Sequence, residues 1–329
     1  MFRVGITGDV VRPDRTTVFD LSALDAAGMP WEPLPGERDE LTAADLTGFD
    51  AVVVFAPRIP AAALDADARP LLLARLGVGY DRIDLEACTE RGVLLTISPD
   101  GIRRPMAQSA MAFVLALAHR LPEMDRHVRE GGWDRFAHVG IGLEGRTLGL
   151  VGLGNVGRDL VGLAAPFGVR ILASDPYVGD APAGVELVPL ETLLGESDFV
   201  VVACPLNEET RHLIDAERLE LMRPGAYLVN IARGPIVDQT ALARALQERR
   251  IAGAALDVFE QEPIAQDDSL LGLDNVILAP HAAGILDQTF RVSGQSACAA
   301  VLAVAAGRVP SYVVNPEALE HPRLSGLSR

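Results

Sequence analysis

The chain has 329 residues, of which 49% are hydrophobic and 22% charged, a composition typical of a folded globular protein. Its length predicts about two domains. The 29 basic and 45 acidic residues leave a formal net charge of −16, which argues against nucleic acid or an anionic membrane surface as a partner.

Features that would direct the protein to a membrane or bind a metal are not expected. The chain lacks an apolar run of about 18 residues, so no transmembrane helix is predicted. Its first residues, MFRVGITGDVV, alternate like a strand and lack the plan of a signal peptide. Cys88, Cys204 and Cys298 lie far apart, without metal-ligand spacing, which predicts a reducing, cytoplasmic location and no metal site.

Apolar segments in the first hundred residues alternate with helical patterns, which predicts βαβ units and a parallel sheet. The predicted strands are FRVGIT near the start and the segments 51–55, 71–77 and 93–97. A very apolar helical segment follows at 103–121, with Pro105 near its first turn. We interpret this segment as a buried helix that links two domains.

A second series of strands begins at residue 147. Six strands are predicted, at 147–151, 169–174, 199–203, 226–231, 253–256 and 276–279. Their alternation with helical patterns fits a doubly wound sheet. An alanine-rich helical segment at about 287–306 is placed to return the chain to the first domain.

The segment GLVGLGNVGR, residues 149–158, has the pattern of a dinucleotide-binding turn between a strand and a helix. Gly152 makes the tight turn, Gly154 lets a pyrophosphate approach backbone N–H groups, and Gly157 lets the helix pack on the strand. Asp175 ends the next predicted strand, where its carboxylate would accept hydrogen bonds from both adenosine ribose hydroxyls. A carboxylate there also repels a 2′-phosphate, which favours NAD over NADP.

Arg233, Glu262 and His281 lie at or shortly after the ends of three predicted strands. Ligands bind outside the carboxyl ends of such strands, so we expect the three side chains to converge. Hydride transfer to a 2-keto acid needs a cation for the carboxylate and carbonyl, a role that suits Arg233. It also needs an acid to protonate the alkoxide, a role that suits His281, and Glu262 would favour and orient the charged imidazole.

Several longer motifs resemble the D-isomer-specific 2-hydroxyacid dehydrogenase family. They occur in order over nearly the whole chain, as GVGYDRIDLEAC (77–88), GLVGLGNVGR (149–158), SDPY (174–177), CPLNEETRHLID (204–215), VNIARGPIVDQTAL (229–242), GAALDVFEQEP (253–263) and LAPHAAG (278–284). The resemblance implies an α/β protein with two doubly wound parallel sheets. In it a Rossmann NAD-binding domain, 101–290, is inserted into a smaller flavodoxin-like substrate domain, 1–100 with 291–329, and NAD and substrate meet between them. It also implies a homodimer.

The same resemblance gives Arg233, Glu262 and His281 the catalytic roles described above, and adds the backbone groups of Val78 and Gly79 as ligands of the substrate carboxylate. The further cofactor contacts that it implies are Asn155 and Val156 at the pyrophosphate, Cys204 and Pro205 on the adenosine side, and Ile231, Ala232, Asp257 and Gly284 at the nicotinamide end.

Some positions depart from the family pattern or bear on the substrate. The chain reads MAQ at 106–108, where the family often has Val-Ala-Glu, and ILDQT at 285–289 without the common aromatic or serine. Val78 stands where members acting on phosphite carry lysine, and Glu262 where the formate-oxidising branch has glutamine, so neither substrate is expected. Arg58 is a candidate contact for a charged substrate tail, with a surface role as the alternative.

We therefore predict an NAD-dependent dehydrogenase of a small D-2-hydroxy acid or its keto acid, such as glyoxylate or hydroxypyruvate. An NAD-sensing, corepressor-like protein with little turnover is the alternative, because such relatives keep the same three polar residues. A methyltransferase would explain the glycine-rich turn and Asp175, but it leaves Arg233 and His281 without a role.

Overall fold

The computed structural model describes residues 2–34, 36, 38–65 and 69–328, and the chain divides into two compact units. One unit consists of Met1–Ile102 and Ile285–Arg329, and we call it the discontinuous unit. The other, Arg103–Gly284, is the inserted unit. The order of these segments along the chain means that one α/β unit interrupts the other.

Five parallel strands form the sheet of the discontinuous unit. Their bounds are Val4–Ile6 (β1), Trp31–Pro33 (β2), Ala51–Val54 (β3), Leu72–Arg75 (β4) and Leu94–Thr96 (β5). The order β2-β1-β3-β4-β5 is that of flavodoxin-like folds. The sequence did not predict β2, because it is a partly exposed edge strand of only three residues and lacks a continuous apolar run.

Helices cover this sheet because a parallel sheet must bury both faces. The helices of this unit are Ser22–Ala26 (α1), Ala43–Leu46 (α2), Leu85–Glu90 (α3), the first residues of Pro99–Ala118 (α4), which continues into the inserted unit, and, near the end of the chain, Asp287–Ala305 (α10). The last confirms the helix predicted at about 287–306. Its buried residues Ala297, Cys298 and Val301 share a core with Ile6 and Leu72, so the C-terminal segment belongs to this unit.

The position predicted for Pro105 was wrong. The helix begins at Pro99, so Pro105 lies inside it and not near its first turn. A proline at that position removes one N–H from the helix ladder. Burial of Ala107, Ala110 and Val114 along the same helix favours its continuation.

Seven parallel strands form the sheet of the inserted unit. They are Thr147–Val151 (β6), Arg170–Ser174 (β7), Val185–Leu187 (β8), Phe199–Val202 (β9), Tyr227–Asn230 (β10), Gly253–Leu256 (β11) and Val276–Leu278 (β12). The helices are the continuation of α4, then Leu121–Arg129 (α5), Asn155–Ala164 (α6), Leu190–Glu196 (α7), Ala216–Leu221 (α8) and Gln239–Gln247 (α9). Six of these strands were predicted; β8 was missed because it is a short, partly exposed edge strand.

The order β12-β11-β10-β9-β6-β7-β8 is the doubly wound dinucleotide-binding order extended by one strand. From β6 the chain passes through β7 and β8 on one side of the sheet and then crosses to β9 on the other side. This reversal of strand order, between β6 and β9, is the point where such sheets bind ligands. The predicted fold class, two doubly wound parallel sheets, is confirmed. None of the helices built from the described residues is both long and apolar enough to cross a membrane.

Asn315 ties the C-terminal segment to the sheet of the discontinuous unit. It is buried, with its side-chain oxygen accepting from the N–H of Leu95 at 2.9 Å. Its amide nitrogen donates to the carbonyl of Val93, also at 2.9 Å. Val93 directly precedes β5 and Leu95 is its middle residue, so one side chain satisfies two backbone groups at this strand.

Replacing Asn315 by alanine should lower the free energy of unfolding of this unit by about 2–3 kcal/mol, because a buried N–H and a buried carbonyl lose their partner. Urea unfolding measures the change. Glu317→Gln, an exposed neighbour, is the control and should stay within about 0.5 kcal/mol of the unmodified protein. An Asn315→Ala variant as stable as this control would contradict the role assigned to the side chain.

Candidate active site

The glycine-rich turn after β6 has the shape that its sequence predicts. Gly152 adopts a left-handed φ of +99°, and a Cβ there would lie 2.7 Å from the backbone nitrogen of Cys204. A Cβ on Gly157 would lie 2.6 Å from the carbonyl oxygen of Gly152, so helix and turn pack too closely for a side chain. Gly154, by contrast, borders open space. The turn therefore leaves a cradle at the start of α6.

This cradle fits a pyrophosphate. Backbone N–H groups in the first turn of a helix have no partner within the helix, and they attract anions. Asn155 and Val156 are the first two residues of α6. The open space beside Gly154 lets a ligand approach their backbone.

Asp175 is held beside the same turn by two backbone N–H groups. Its Oδ2 accepts from Leu153 at 2.8 Å, and its Oδ1 accepts from Tyr177 at 3.0 Å. Each carboxylate oxygen can accept a further hydrogen bond. Two remaining acceptor positions fit the two hydroxyls of a ribose, so the turn and the acid together suit a dinucleotide.

Cys204 follows β9 and contacts the glycine turn. Burial raises the pKa of its thiol to about 11, and the charge of Asp175 acts in the same direction. The thiol is therefore protonated at neutral pH, which argues against a nucleophile and agrees with a residue that lines the site. Pro205 comes next, and its carbonyl accepts from the hydroxyl of Thr210 at 2.7 Å.

Arg233 lies on a turn that Asn230 organises. Asn230 is buried at the end of β10, where its oxygen accepts from the N–H of Ala232 at 3.0 Å and its nitrogen donates to the carbonyl of Arg233 at 2.9 Å. The Arg233 guanidinium donates to the carbonyl of Ala232 at 2.7 Å. Ile231 lies buried within the turn. Sequence reasoning missed Asn230; a polar residue ending an apolar strand was the available indication.

A close backbone contact brings this turn to the loop that carries Glu262. A Cβ on Gly234 would lie only 1.9 Å from the backbone of Phe259, so only glycine fits. The N–H of Phe259 in turn donates to Oε1 of Glu262 at 3.0 Å. The carboxylate is therefore fixed by its own loop, next to the turn of Arg233.

Glu262 and His281 form the central contact of the site. Oε2 of Glu262 lies 2.7 Å from Nδ1 of His281, which leaves Nε2 of the imidazole to face a different partner. The side chains are 37% and 46% exposed, respectively, so a ligand can reach them. His281 has a left-handed φ of +52°, a backbone conformation that is uncommon outside glycine and often found at functional positions.

Asp257 anchors the loop that carries His281. It is buried, and its Oδ1 accepts from the N–H groups of Ala282 at 2.8 Å and Ala283 at 3.0 Å. Its carbonyl accepts from the N–H of His281 at 2.8 Å. Burial raises the pKa of Asp257, while these hydrogen bonds oppose that rise. Sequence reasoning assigned Asp257 to the nicotinamide end together with Gly284, and did not foresee this anchoring.

The electrostatics of Glu262 reflect its neighbours. Partial burial by itself raises the pKa of this carboxyl, but the hydrogen bonds from His281 and Phe259 and the positive charges of His281 and Arg233 outweigh burial. The net effect lowers the pKa, so Glu262 is ionised at neutral pH. Arg233, Glu262 and His281 all belong to the inserted unit, and the charge of Arg233 acts on the Glu262 carboxyl; their catalytic roles stay a prediction.

The remaining predicted residues lie elsewhere in the chain. Val78 and Gly79 follow β4 in the discontinuous unit, where Arg75 donates to the carbonyls of Gly79 at 3.0 Å and Leu76 at 2.9 Å. Their contact with substrate stays a prediction. The segment 106–108 lies on α4. Arg58 is exposed and lies 3.7 Å from Glu40, which agrees with the surface interpretation. Groups of three or more metal-binding side chains were not found in the described part of the chain.

Comparison with known proteins gives one consistent result. Residues 111–283 match the model of the NAD-binding domain of D-isomer specific 2-hydroxyacid dehydrogenases. A glyoxylate reductase of Korarchaeum cryptofilum (strain OPF8) is 43% identical over 279 residues, which cover 82% of this chain and 84% of that protein.

Two solved structures are similar over most of their length. One is a D-lactate dehydrogenase from Aquifex aeolicus complexed with NAD and lactic acid, with a TM-score of 0.81, 28% identity and coverage of 92% of this chain and 96% of that one. The other is an NADPH-dependent glyoxylate/hydroxypyruvate reductase from Sinorhizobium meliloti in complex with citrate, with a TM-score of 0.82, 28% identity and coverage of 96% and 99%.

His281→Ala should raise the pKa of the Glu262 carboxyl, since burial remains while the hydrogen bond and charge of the imidazole are lost. Carbon-13 NMR titration of the glutamate carboxyls measures this pKa. Because the native pKa lies below the unfolded one, Glu262 stabilises the fold above the unfolded value, and this contribution disappears as pH falls through the native pKa.

His212→Ala is the matched control for this titration. His212 lies 2.9 Å from Glu260, so its removal takes away a similar contact two residues along the same loop and should leave the titration of Glu262 unchanged. Identical Glu262 titration curves in His281→Ala and the unmodified protein would contradict the assigned pairing.

Proposed function

Because this chain belongs to the D-isomer specific 2-hydroxyacid dehydrogenase family, we propose that it interconverts a short 2-keto acid, such as glyoxylate or hydroxypyruvate, and the matching D-2-hydroxy acid with NAD(H). The chain is a nicotinamide-dependent oxidoreductase of 2-hydroxy and 2-keto acids. The observation that carries the proposed mechanism is the 2.7 Å contact between His281 and Glu262, next to Arg233.

A bound nicotinamide supplies the hydride for reduction of the keto acid and accepts it in the reverse direction. Arg233 holds the substrate carboxylate and polarises the carbonyl, because a guanidinium presents several N–H donors in one plane. His281 gives the proton on Nε2 to the alkoxide oxygen that forms at C2, and takes it back during oxidation. Glu262 stays ionised, stabilises the imidazolium and fixes the ring through Nδ1.

The discontinuous unit is proposed to bind the substrate carboxylate through the backbone N–H groups of Val78 and Gly79. The guanidinium of Arg75 supports this role, because it engages the carbonyls of Leu76 and Gly79 and lies 5.5 Å from the centre of the Phe55 ring. These contacts hold the loop through its carbonyl groups. The inserted unit is proposed to bind NAD, with Asp175 taking the ribose and disfavouring a 2′-phosphate.

We also propose a homodimer, formed through an apolar surface on the inserted unit. Half of the large hydrophobic side chains that are exposed among the described residues lie between positions 121 and 139. They are Leu121, Met124 and Val128 on one stripe of α5, followed by Trp133, Phe136 and Val139. Exposed apolar surfaces of this kind mark protein contacts.

A second copy of the chain fits this apolar surface. Acidic and basic residues alternate around it, including Glu123, Arg126 and Glu130, and such a mixture of charges can complement itself across a two-fold axis.

The net charge of −16 and the three free cysteines support the proposal of a cytoplasmic enzyme without a nucleic-acid partner.

His281→Ala should lower kcat for reduction of glyoxylate or hydroxypyruvate by about 10²- to 10⁴-fold, the usual contribution of a general acid. NADH oxidation followed at about 340 nm measures the rate, and equilibrium titration shows that NADH still binds. His119→Ala, at an exposed position, is the control. Full activity in His281→Ala would remove this residue from the mechanism, and NADH binding without turnover in the unmodified protein would favour a binding role.

The double variant Val128→Glu and Phe136→Asp should convert a dimer into a monomer, because each new charge would be buried without a partner at the contact. Light scattering coupled to size-exclusion chromatography measures the mass. Leu271→Asp, at another exposed hydrophobic position of the inserted unit, should leave the dimer intact. A monomeric unmodified protein, or a dimer that survives the double variant, would contradict the proposed surface.

A further inference from the structure

A hydrogen bond connects two loops at the carboxyl edge of the seven-stranded sheet. The phenol of Tyr177, in the loop after β7, donates to Oε2 of Glu209, in the loop after β9. Both residues are exposed. These loops follow the strands on either side of β6, whose own loop is the glycine turn, so the contact lies at the edge where the adenosine end of a dinucleotide is proposed to bind.

Tyr177 also belongs to the surroundings of Asp175. Its backbone N–H donates to Oδ1 of Asp175 at 3.0 Å, while its phenol holds Glu209. The hydrogen bond to Glu209 raises the pKa of the phenol, and the negative charges of Glu209 and Asp175 add to the rise. Two carboxylates therefore lie close enough to one phenol for both to act on it.

The loop that carries Glu209 is internally braced. The N–H of Asn207 donates to the hydroxyl of Thr210 at 2.8 Å, and the N–H of Thr210 donates to the Asn207 side chain at 2.9 Å. The Thr210 hydroxyl also donates to the carbonyl of Pro205 at 2.7 Å. Since Glu209 lies between the two braced residues, its backbone position is held, and Tyr177 restricts its side chain.

We propose that Glu209, positioned by Tyr177, is a second specificity residue that makes the adenosine end of the site select NAD over NADP. The proposal rests on the proposed function, because it presumes a dinucleotide at the glycine turn with its ribose on Asp175. A 2′-phosphate carries a charge of about −1.5 to −2 at neutral pH and would meet two carboxylates instead of one. Arg211 follows on the same loop, but the structure ties the acidic residue, and not this cation, to Asp175 through Tyr177.

The size of the effect follows from exposed charges at moderate separation. In a solvent-exposed site, removal of one nearby negative charge should strengthen NADP binding by about 3- to 10-fold. NAD has no phosphate at that position, so its affinity should change by less than about twofold. Salt should reduce the gain, because it screens exposed charges.

The experiment measures equilibrium dissociation constants of NAD⁺ and NADP⁺ by calorimetry, with competition titration for the weaker ligand. Glu209→Gln should increase the affinity for NADP⁺ relative to NAD⁺ by about 3- to 10-fold at low salt, and by less at about 0.5 M NaCl. Tyr177→Phe should give part of this gain, because it frees the Glu209 side chain without removing its charge. Glu208→Gln, a loss of the same charge at the adjacent position, is the matched control.

This inference is overturned if the ratio of NADP⁺ affinity to NAD⁺ affinity is the same in Glu209→Gln and Glu208→Gln, or if the gain in NADP⁺ affinity does not depend on salt. If NAD⁺ still binds in that case, the proposed function stands. Asp175→Asn separates the two failures further. If unmodified protein binds neither nucleotide, or if Asp175→Asn changes neither affinity, the dinucleotide site itself is wrong, and both the proposed function and the role of Glu209 fall with it.

Discussion

The hydrogen bond between Glu262 and His281 is the interaction on which the proposed chemistry of this protein depends. A half-exposed carboxylate is ionised in almost any setting, but here it is also placed 2.7 Å from Nδ1 of an imidazole. That contact decides which ring nitrogen is left for a substrate and holds the ring in one orientation. Arg233 adds a second positive charge beside the same carboxylate. His281, the proposed proton donor, and Arg233, the proposed cation for the substrate, thus both act on Glu262.

Buried polar side chains at strand ends keep these exposed groups in place. Asn230 satisfies the backbone of the turn that carries Arg233, and Asp257 satisfies the backbone of the loop that carries His281. Because buried polar groups rarely lack partners, each of these side chains restricts its loop to one conformation. The reactive residues can therefore remain open to ligands without losing their positions. Asp175, which is only partly buried, braces the glycine turn in a similar way, with two N–H groups on one carboxylate.

Much of the fold could be predicted from the sequence because buried parallel strands are continuous apolar runs separated by helical patterns. The two edge strands, β2 and β8, escaped because three partly exposed residues carry no such pattern. Pro105 was misplaced because local proline preferences compete with burial of the rest of α4. The contact between Glu262 and His281 could be anticipated, since strand ends of a parallel sheet meet at one edge, and the catalytic roles stay a prediction. The anchoring by Asn230 and Asp257 was not, because it depends on turn geometry that spacing alone does not specify.

Transfer of deuterium tests the central claim most directly. Unmodified protein is incubated with NADH deuterated at C4 of the nicotinamide and with hydroxypyruvate, and the product is analysed by mass spectrometry and chiral chromatography. The account predicts one deuterium on C2 of a D-hydroxy acid, because hydride reaches that carbon while His281 protonates the neighbouring oxygen. Bound NADH with no label in the product across a set of short 2-keto acids, or label in an L-hydroxy acid, would contradict it.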